Sequence, residues 1–482
     1  MNYRTVFHTV GNILVIEGGI MAIPALVALM YRETRALTGF LAAILLALLA
    51  GFLLTRIDRR EEVPLARDSM VIVALSWMAI SLFGAFPFYI SGEIPVFVKA
   101  YFETMSGFTT TGITVFRDLE AVSKSLLFWR SFTVWLGGMG VLVFMLAVLP
   151  RKGGGSAVNL MRAESSGPQN DKIVPRTQKS AVILYLIYAG LSVIDLILLK
   201  AGGMDWFDAI LTMFGTAGTG GFNIHDQSIA YYQSDYITIV TTVFMFLFGV
   251  SYSLFFLVLT GKAFSAFRNV ELRTYAFITV GASVAIAIDL TAKSGNFLRS
   301  LIHSSFAVTA MSSSTGYIQE NYDAWPGFSR TLLFFLMFFG ACSGSTACGI
   351  KLSRIIILAK SVWADVKRLL SPHSVNIISY NGKPLRRETI TGVHSFIAMY
   401  FAVYIVSVVL VSINDLDMIT NLSAVAAAIN NVGCGFSMVG PNGTFSVFSK
   451  FSMLVLSFDM LAGRLEIFPM LMLFYPRTWS RY

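Results

Sequence analysis

The sequence predicts an all-α polytopic membrane protein with four parallel span–pore-helix–span repeats around a pseudo-fourfold pore, plus two N-terminal spans. Three observations carry this expectation. The chain of 482 residues is 55% hydrophobic and only 13% charged, with a mean hydropathy of +0.69. A soluble protein of this length carries about twice that charged fraction. Long apolar stretches recur at 8–30, 36–56, 69–92, 126–149, 180–201, 235–261, 274–292, 328–362, 388–413 and 445–475. Between them, a short glycine phrase follows a short apolar segment four times.

The apolar stretches match the roughly 20 residues a helix needs to cross a bilayer. The ten-residue alternating segments of an outer-membrane barrel are absent. Residues 1–66 hold the two additional N-terminal spans. The first follows MNYR, contains Glu17 and Pro24, and lacks an A-x-A cleavage site, so it reads as a retained helix. Four repeats follow at 67–179, 180–273, 274–387 and 388–482, the third with an intramembrane loop.

The net charge of +9 does not point to nucleic acid, because its distribution is that of a membrane protein. Basic residues gather in alternate loops: Arg56, Arg59, Arg60 and Arg67; Arg151 to Lys179; Lys262, Arg268 and Arg273; Lys351 to Arg387; and Arg477 with Arg481. Residues 218–235 and 312–327 have none. This positive-inside asymmetry predicts a cytoplasmic N-terminus and places the glycine phrases outside, with Arg32 and Arg35 as exceptions in one short outer loop.

The phrases read TTTGITVF (109–116), TAGTGGFN (216–223), SSSTGYIQ (312–319) and NNVGCGFS (430–437). They align on Gly112, Gly220, Gly316 and Gly433. The segments before them, 96–108, 205–217, 299–311 and 420–430, are too short to cross. They can enter partway and turn back, provided protein or a watery path satisfies the exposed backbone. Four such hairpins can surround one axis. Rings of peptide carbonyls then replace a cation's hydration shell, and half-helix C-termini add negative dipole ends. No carboxylate stands at the glycines, which favours a monovalent over a hard divalent ion. The candidate filter residues are Thr110, Thr111, Gly112 and Ile113; Gly218, Thr219, Gly220 and Gly221; Ser314, Thr315, Gly316 and Tyr317; and Asn431, Val432, Gly433 and Cys434.

GACSGSTACG at 340–349 interrupts the eighth stretch. Each glycine inside a helix costs about 1 kcal/mol against alanine. This run reads either as an unwound gate loop or as a small-residue packing seam. The candidate gate residues are Gly340, Cys342, Gly344, Ser345, Thr346, Gly349, Lys351 and Arg464. Arg464 lies within an apolar span, where a charge is either functional or paired. Asp459 and Glu466 are near in sequence but do not share its helix face. Arg130 reads as structural, paired with Glu103. Cys342, Cys348 and Cys434 read as small buried hydrophobes.

MSGFTTTGITVF (105–116), GTGGFNIHD (218–226), SSSTGYIQ and NNVGCGF resemble the four filter loops of TrkH-type potassium transport subunits. WLGGMGVLVF (135–144), GACSGSTACGIKLSR (340–354) and MLAGRLEIFP (460–469) extend the resemblance over nearly the whole chain. The two N-terminal spans suit this branch better than KtrB. Gly218, where the family often has Ser or Thr, and Cys434 depart from the pattern.

The resemblance implies one pore per chain, a homodimer in the bilayer, and a cytosolic TrkA-type nucleotide-binding ring. The basic loops at 150–179 and 351–387 are candidate docking surfaces for that ring. It also implies that Arg464 projects into the pore beneath the filter. The expected function is gated, selective potassium uptake across the bacterial cytoplasmic (inner) membrane. K+ is the transported ion, and no nucleotide or nucleic acid binds this chain. The alternative is an ion-coupled secondary transporter, a K+/Na+ or K+/H+ symporter. No acid–base or metal constellation suggests an enzyme.

Overall fold

The computed structural model describes residues 1–57, 66–140, 177–372 and 376–480. Most of the basic loop at 150–179 and the end of the stretch 126–149 lie outside the described residues.

Apolar helices form where the sequence offers uninterrupted hydrophobic runs, and polar caps set where they begin. Asn2, Ser234, Asn269, Asn296, Asp417 and Ser449 each accept a backbone N–H of the first helical turn. Tyr3–Met30 and Thr34–Thr55 are the two N-terminal spans. They cross at glycine: a methyl group on Gly11 would lie 2.8 Å from the Gly51 carbonyl oxygen, and one on Gly51 would lie 2.8 Å from that of Gly11. Small residues at such a crossing let backbones approach where no hydrophobic effect drives association.

Each of the next four units opens with a long helix: Arg67–Ile90, Thr177–Ala201, Val270–Ser294 and Arg387–Val411. A half-helix follows in each, at Phe97–Phe108, Trp206–Gly218, Phe297–Ser312 and Met418–Ile429. These lie within two residues of the predicted segments. Their C-terminal halves are buried throughout, as at Phe102–Phe108 and Ala424–Ile429. Protein therefore surrounds them, as a hairpin ending inside a bilayer demands.

The closing helices are shorter or broken: Lys124–Gly138, Asp235–Phe248, Gly327–Leu336 and Lys450–Arg464. The predicted interruption at 340–349 is present. Two-residue strands, Phe339–Gly340 and Ile350–Lys351, pair in parallel and pinch off the loop before the helix Leu352–Leu370.

Two other breaks differ from the sequence reading. The stretch 235–261 bends by 94° between Phe248 and Tyr252. Gly249 permits this, since a methyl group there would meet the Tyr275 hydroxyl at 2.4 Å. The stretch 445–475 begins helically at Lys450 and breaks after Arg464, where Glu466 and Ile467 have φ of 57° and 67°. A short helix, Phe468–Phe474, follows.

Candidate filter and gate

After each half-helix the chain reverses through the same local device. A left-handed residue is followed two positions later by a left-handed glycine: Thr110 and Gly112 (φ 57° and 80°), Thr219 and Gly221 (54° and 32°), Ser314 and Gly316 (53° and 75°), Asn431 and Gly433 (52° and 89°). The N–H of the residue between returns to the half-helix: Thr111 to Ser106 O at 2.8 Å, Gly220 to Gly215 O at 3.0 Å, Thr315 to Ala310 O at 2.9 Å, Val432 to Ala427 O at 2.9 Å.

This pattern moves the second loop by one residue from the sequence alignment. Gly221, not Gly220, is the counterpart of Gly112, Gly316 and Gly433. Gly218 ends its half-helix, and Phe222 takes the place of Ile113, Tyr317 and Cys434. With two adjacent glycines, composition alone does not say which one turns left-handed.

The four loops close into a ring. A methyl group on Gly112 would lie 2.2 Å from Gly220 O, one on Gly221 2.1 Å from Thr315 O, one on Gly316 1.7 Å from Val432 O, and one on Gly433 2.6 Å from Thr111 O. Each left-handed glycine thus abuts the middle carbonyl of the next unit, and the fourth returns to the first. Gly112, Gly221, Gly316 and Gly433 all line a vestibule of about 470 Å³, together with Arg117, Asp226 and Glu320.

Ties behind the loops fix the ring. Glu103 and Arg130 form an ion pair at 2.8 Å with side chains 0% and 1% exposed, as read from the sequence. Glu103 also accepts from the Thr114 hydroxyl at 2.9 Å and Val115 N–H at 2.8 Å. Arg130 donates to Asn223 O at 3.2 Å and lies over the Phe222 ring. The pair therefore spans the first and second loops. Ile229 N–H donates to Ile318 O at 3.1 Å, joining second to third. The Tyr322 hydroxyl donates to Gly435 O at 2.8 Å, joining third to fourth. Asn431 Nδ2 donates to the Thr111 hydroxyl at 2.7 Å, joining fourth to first.

The interrupting loop sits directly against this ring. Cys348 N–H donates to the Ser314 hydroxyl at 2.8 Å. Cys342 N–H donates to Gly249 O at 3.0 Å, the Thr346 hydroxyl to Phe248 O at 3.2 Å, and Tyr252 N–H to Gly344 O at 3.0 Å. Gly344 and Gly349 turn the loop at φ of 74° and 76°, Gly340 closes its neck, and Ser345 donates back to Cys342 O at 2.6 Å. Lys351 is buried and donates to Ala347 O. Glu271 accepts from Ser343 N–H at 2.8 Å and Ser353 N–H at 3.0 Å. Nothing in the sequence around Glu271 signalled this clamp.

Arg464 ties filter, loop and helix end together. Its Nη1 donates to the Thr110 hydroxyl at 3.2 Å, to Thr346 O at 3.0 Å and to Cys348 Sγ at 3.0 Å. Its Nη2 donates to Gly137 O and to Gly138 O at 2.7 Å. Its sequence neighbours are engaged elsewhere: Asp459 with the Ser407 hydroxyl at 2.7 Å, and Glu466 with Arg354 at 2.5 Å. All three cysteines are free and buried. Cys348, unlike the others, reaches the guanidinium; by sequence it reads only as a small buried hydrophobe, and neither it nor Gly137 or Gly138 is among the candidate gate residues.

The chain is similar to known proteins along nearly its whole length. Residues 35–481 match the family model described as TrkH, cation transport protein. The chain is 35% identical to the Trk system potassium uptake protein TrkH of Escherichia coli K12, over 99% of this chain and all of that one. It is 30% identical to the Trk system potassium uptake protein TrkG of the same strain, over 99% of this chain and 98% of that one. The crystal structure of the potassium transporter TrkH from Vibrio parahaemolyticus superposes with a TM-score of 0.89 at 31% identity, covering both chains fully. With a family match over nearly its full length and relatives this similar end to end, the chain belongs to the TrkH family of cation transport proteins and is not an enzyme.

Proposed function

We propose that the chain is the potassium-conducting subunit of an uptake system in the bacterial inner membrane, with the vestibule facing out and the N-terminus in the cytoplasm. The ring in which each left-handed glycine meets the next unit's carbonyl carries this reading. Left-handed residues alternating with ordinary ones let successive backbone carbonyls face one side of the chain. Four such segments offer stacked carbonyls to a dehydrated K+, as a selectivity filter requires. The positive charge of Arg464 beneath Thr110 raises the barrier to a cation leaving the filter, and its hydrogen bonds to Thr346 and Cys348 hold the loop there. Withdrawal of the loop is the gating step.

A homodimer and a cytosolic nucleotide-binding ring complete the assembly. The potassium-uptake names of the relatives support the ion, and their membership of a Trk system supports partner subunits. Passive conduction is favoured over symport, because the repeats are parallel and all four half-helices run toward one ring, whereas many coupled carriers use inverted repeats. The test is K+ flux into liposomes holding the purified chain. Flux down a K+ gradient without Na+ or a proton gradient supports the conduit. Strict dependence on a co-ion would replace it with the symporter.

A further inference from the structure

Between Phe248 and Glu271 the chain forms a handle whose two ends grip the gate loop. At one end, Phe248 O, Gly249 O and Tyr252 N–H bond to Thr346, Cys342 and Gly344. At the other, the Glu271 carboxylate holds the N–H groups of Ser343 and Ser353. The handle includes the helix Tyr252–Leu259, set at 94° to the helix before it, and a single turn at Ala263–Phe267.

Its place relative to the bilayer follows from one stacked pair. Phe246 lies on Tyr275 with ring centroids 4.7 Å apart. Tyr275 is five residues into the span Val270–Ser294, so the elbow sits about 7 Å inside the span's end. The handle therefore runs along the margin of the leaflet opposite the vestibule. Three of its large apolar side chains point outward: Leu259 is 75% exposed, Phe264 72% and Phe267 66%. Lys262 and Arg268 are exposed among them, and among the described residues neither makes an ion pair. The Arg268 guanidinium lies 4.7 Å from the centre of the Phe264 ring. Aromatic and aliphatic side chains interleaved with cations at a leaflet margin suit insertion beside anionic headgroups.

We propose that this handle is a binding site for anionic phospholipid, and that lipid bound there steadies the gate loop in its position under the filter. The apolar side chains enter the acyl boundary while Lys262 and Arg268 meet headgroup phosphate. With its handle pinned, the loop withdraws less readily, so anionic lipid lowers basal flux. This effect on flux rests on the conduction reading above, whereas the binding does not.

The probes are phosphatidylglycerol and phosphatidylcholine, and the variant is K262Q/R268Q in the full chain. Native mass spectrometry of the detergent-solubilised protein counts retained lipid. Each cation near an anionic surface contributes roughly a fivefold gain in occupancy, so removing both should lower phosphatidylglycerol retention by about 25-fold. K+ flux should be several-fold lower for the unmodified chain in vesicles containing phosphatidylglycerol than in phosphatidylcholine alone, and the variant should lose that difference. Equal phosphatidylglycerol retention by both proteins overturns the site. Reduced retention with the lipid dependence of flux intact overturns its link to the gate. Equal lipid retention together with weakened capture of a cytosolic ring would assign the surface to that protein partner and overturn the lipid. Absence of flux in every vesicle would be a failure of the conduction reading, and the lipid count would still decide the site.

Discussion

Arg464 donates to the hydroxyl of Thr110 across 3.2 Å, so the last closing helix is bonded to the first filter loop. The same guanidinium holds Thr346 O, Cys348 Sγ and the end of the helix Lys124–Gly138. In the proposed reading this one side chain supplies both a charge on the exit and a latch on the loop.

Arg464→Ala removes both and should raise K+ flux several-fold at equal expression. Arg464→Lys keeps the charge but not the planar fork that reaches several acceptors at once. Flux of the Lys variant near that of the unmodified protein would assign the effect to charge, and flux near that of the Ala variant would assign it to the latch. Radioactive Rb+ uptake into liposomes reads both.

Gly316→Ser places a β-carbon 1.7 Å from Val432 O at φ 75°. The third and fourth loops must separate to admit it. Discrimination of K+ over Na+ should fall markedly, measured as the ratio of uptake rates from matched gradients. Unchanged discrimination would remove this loop from the filter.

Glu103→Gln leaves Arg130 charged, buried and short of its ion partner. Breaking a buried pair on one side typically costs about 3–5 kcal/mol. The melting temperature in detergent should drop by several degrees, and Glu103→Gln/Arg130→Met should recover part of it.

Outer pH should act through His303 and Glu320, which pair at 3.2 Å beside the vestibule. The hydrogen bond to His303 holds the Glu320 carboxyl below its ordinary value, and the bond to Glu320 raises His303 above its own, with partial burial and, to a lesser extent, nearby Arg299 opposing the rise. The contribution of the imidazolium is full below its ordinary 6.5 and is lost as pH climbs through the raised value; that of the carboxylate is present above its ordinary 4.5 and is lost as pH falls through the lowered value. The pair is thus intact in mildly acid to neutral medium and loses its charge attraction on the alkaline side, where Glu320 stands at the mouth as an anion without its imidazolium partner, with Arg299 still nearby. K+ uptake from dilute solution should increase as outer pH rises through that window. His303→Gln should flatten the profile there.

Glu271→Gln weakens the clamp on Ser343 and Ser353 while leaving the shape of the side chain. Basal flux should increase severalfold, less than for Arg464→Ala, because the contacts from Phe248, Gly249 and Tyr252 remain.

The half-helices were legible in sequence because each is a short apolar run closed by glycine. The loop at 340–349 was legible because its small polar residues cannot sustain a helix in lipid. The bend between Phe248 and Tyr252 was not, since VFMFLFGVSYSLFFLVL is almost uniformly apolar and its single glycine is no rarer than those inside straight spans. The break after Arg464 was hidden likewise, because Glu466 and Ile467 are unusual at positive φ and only surrounding structure holds them there. The register of the second loop was lost to a pair of adjacent glycines. The Arg130–Glu103 pair was found because two charges at membrane depth must be compensated, while Glu271 at the end of a span has no such requirement.

The reciprocal packing of glycine on the neighbouring unit's carbonyl makes the ring a shared property of segments more than 90 positions apart in the chain. No unit holds within itself the space that its own glycine needs left empty. A swap of one loop for a copy of another therefore disturbs two seams at once, and the units are free to diverge in side chains facing outward while their main chains stay locked to a common mould.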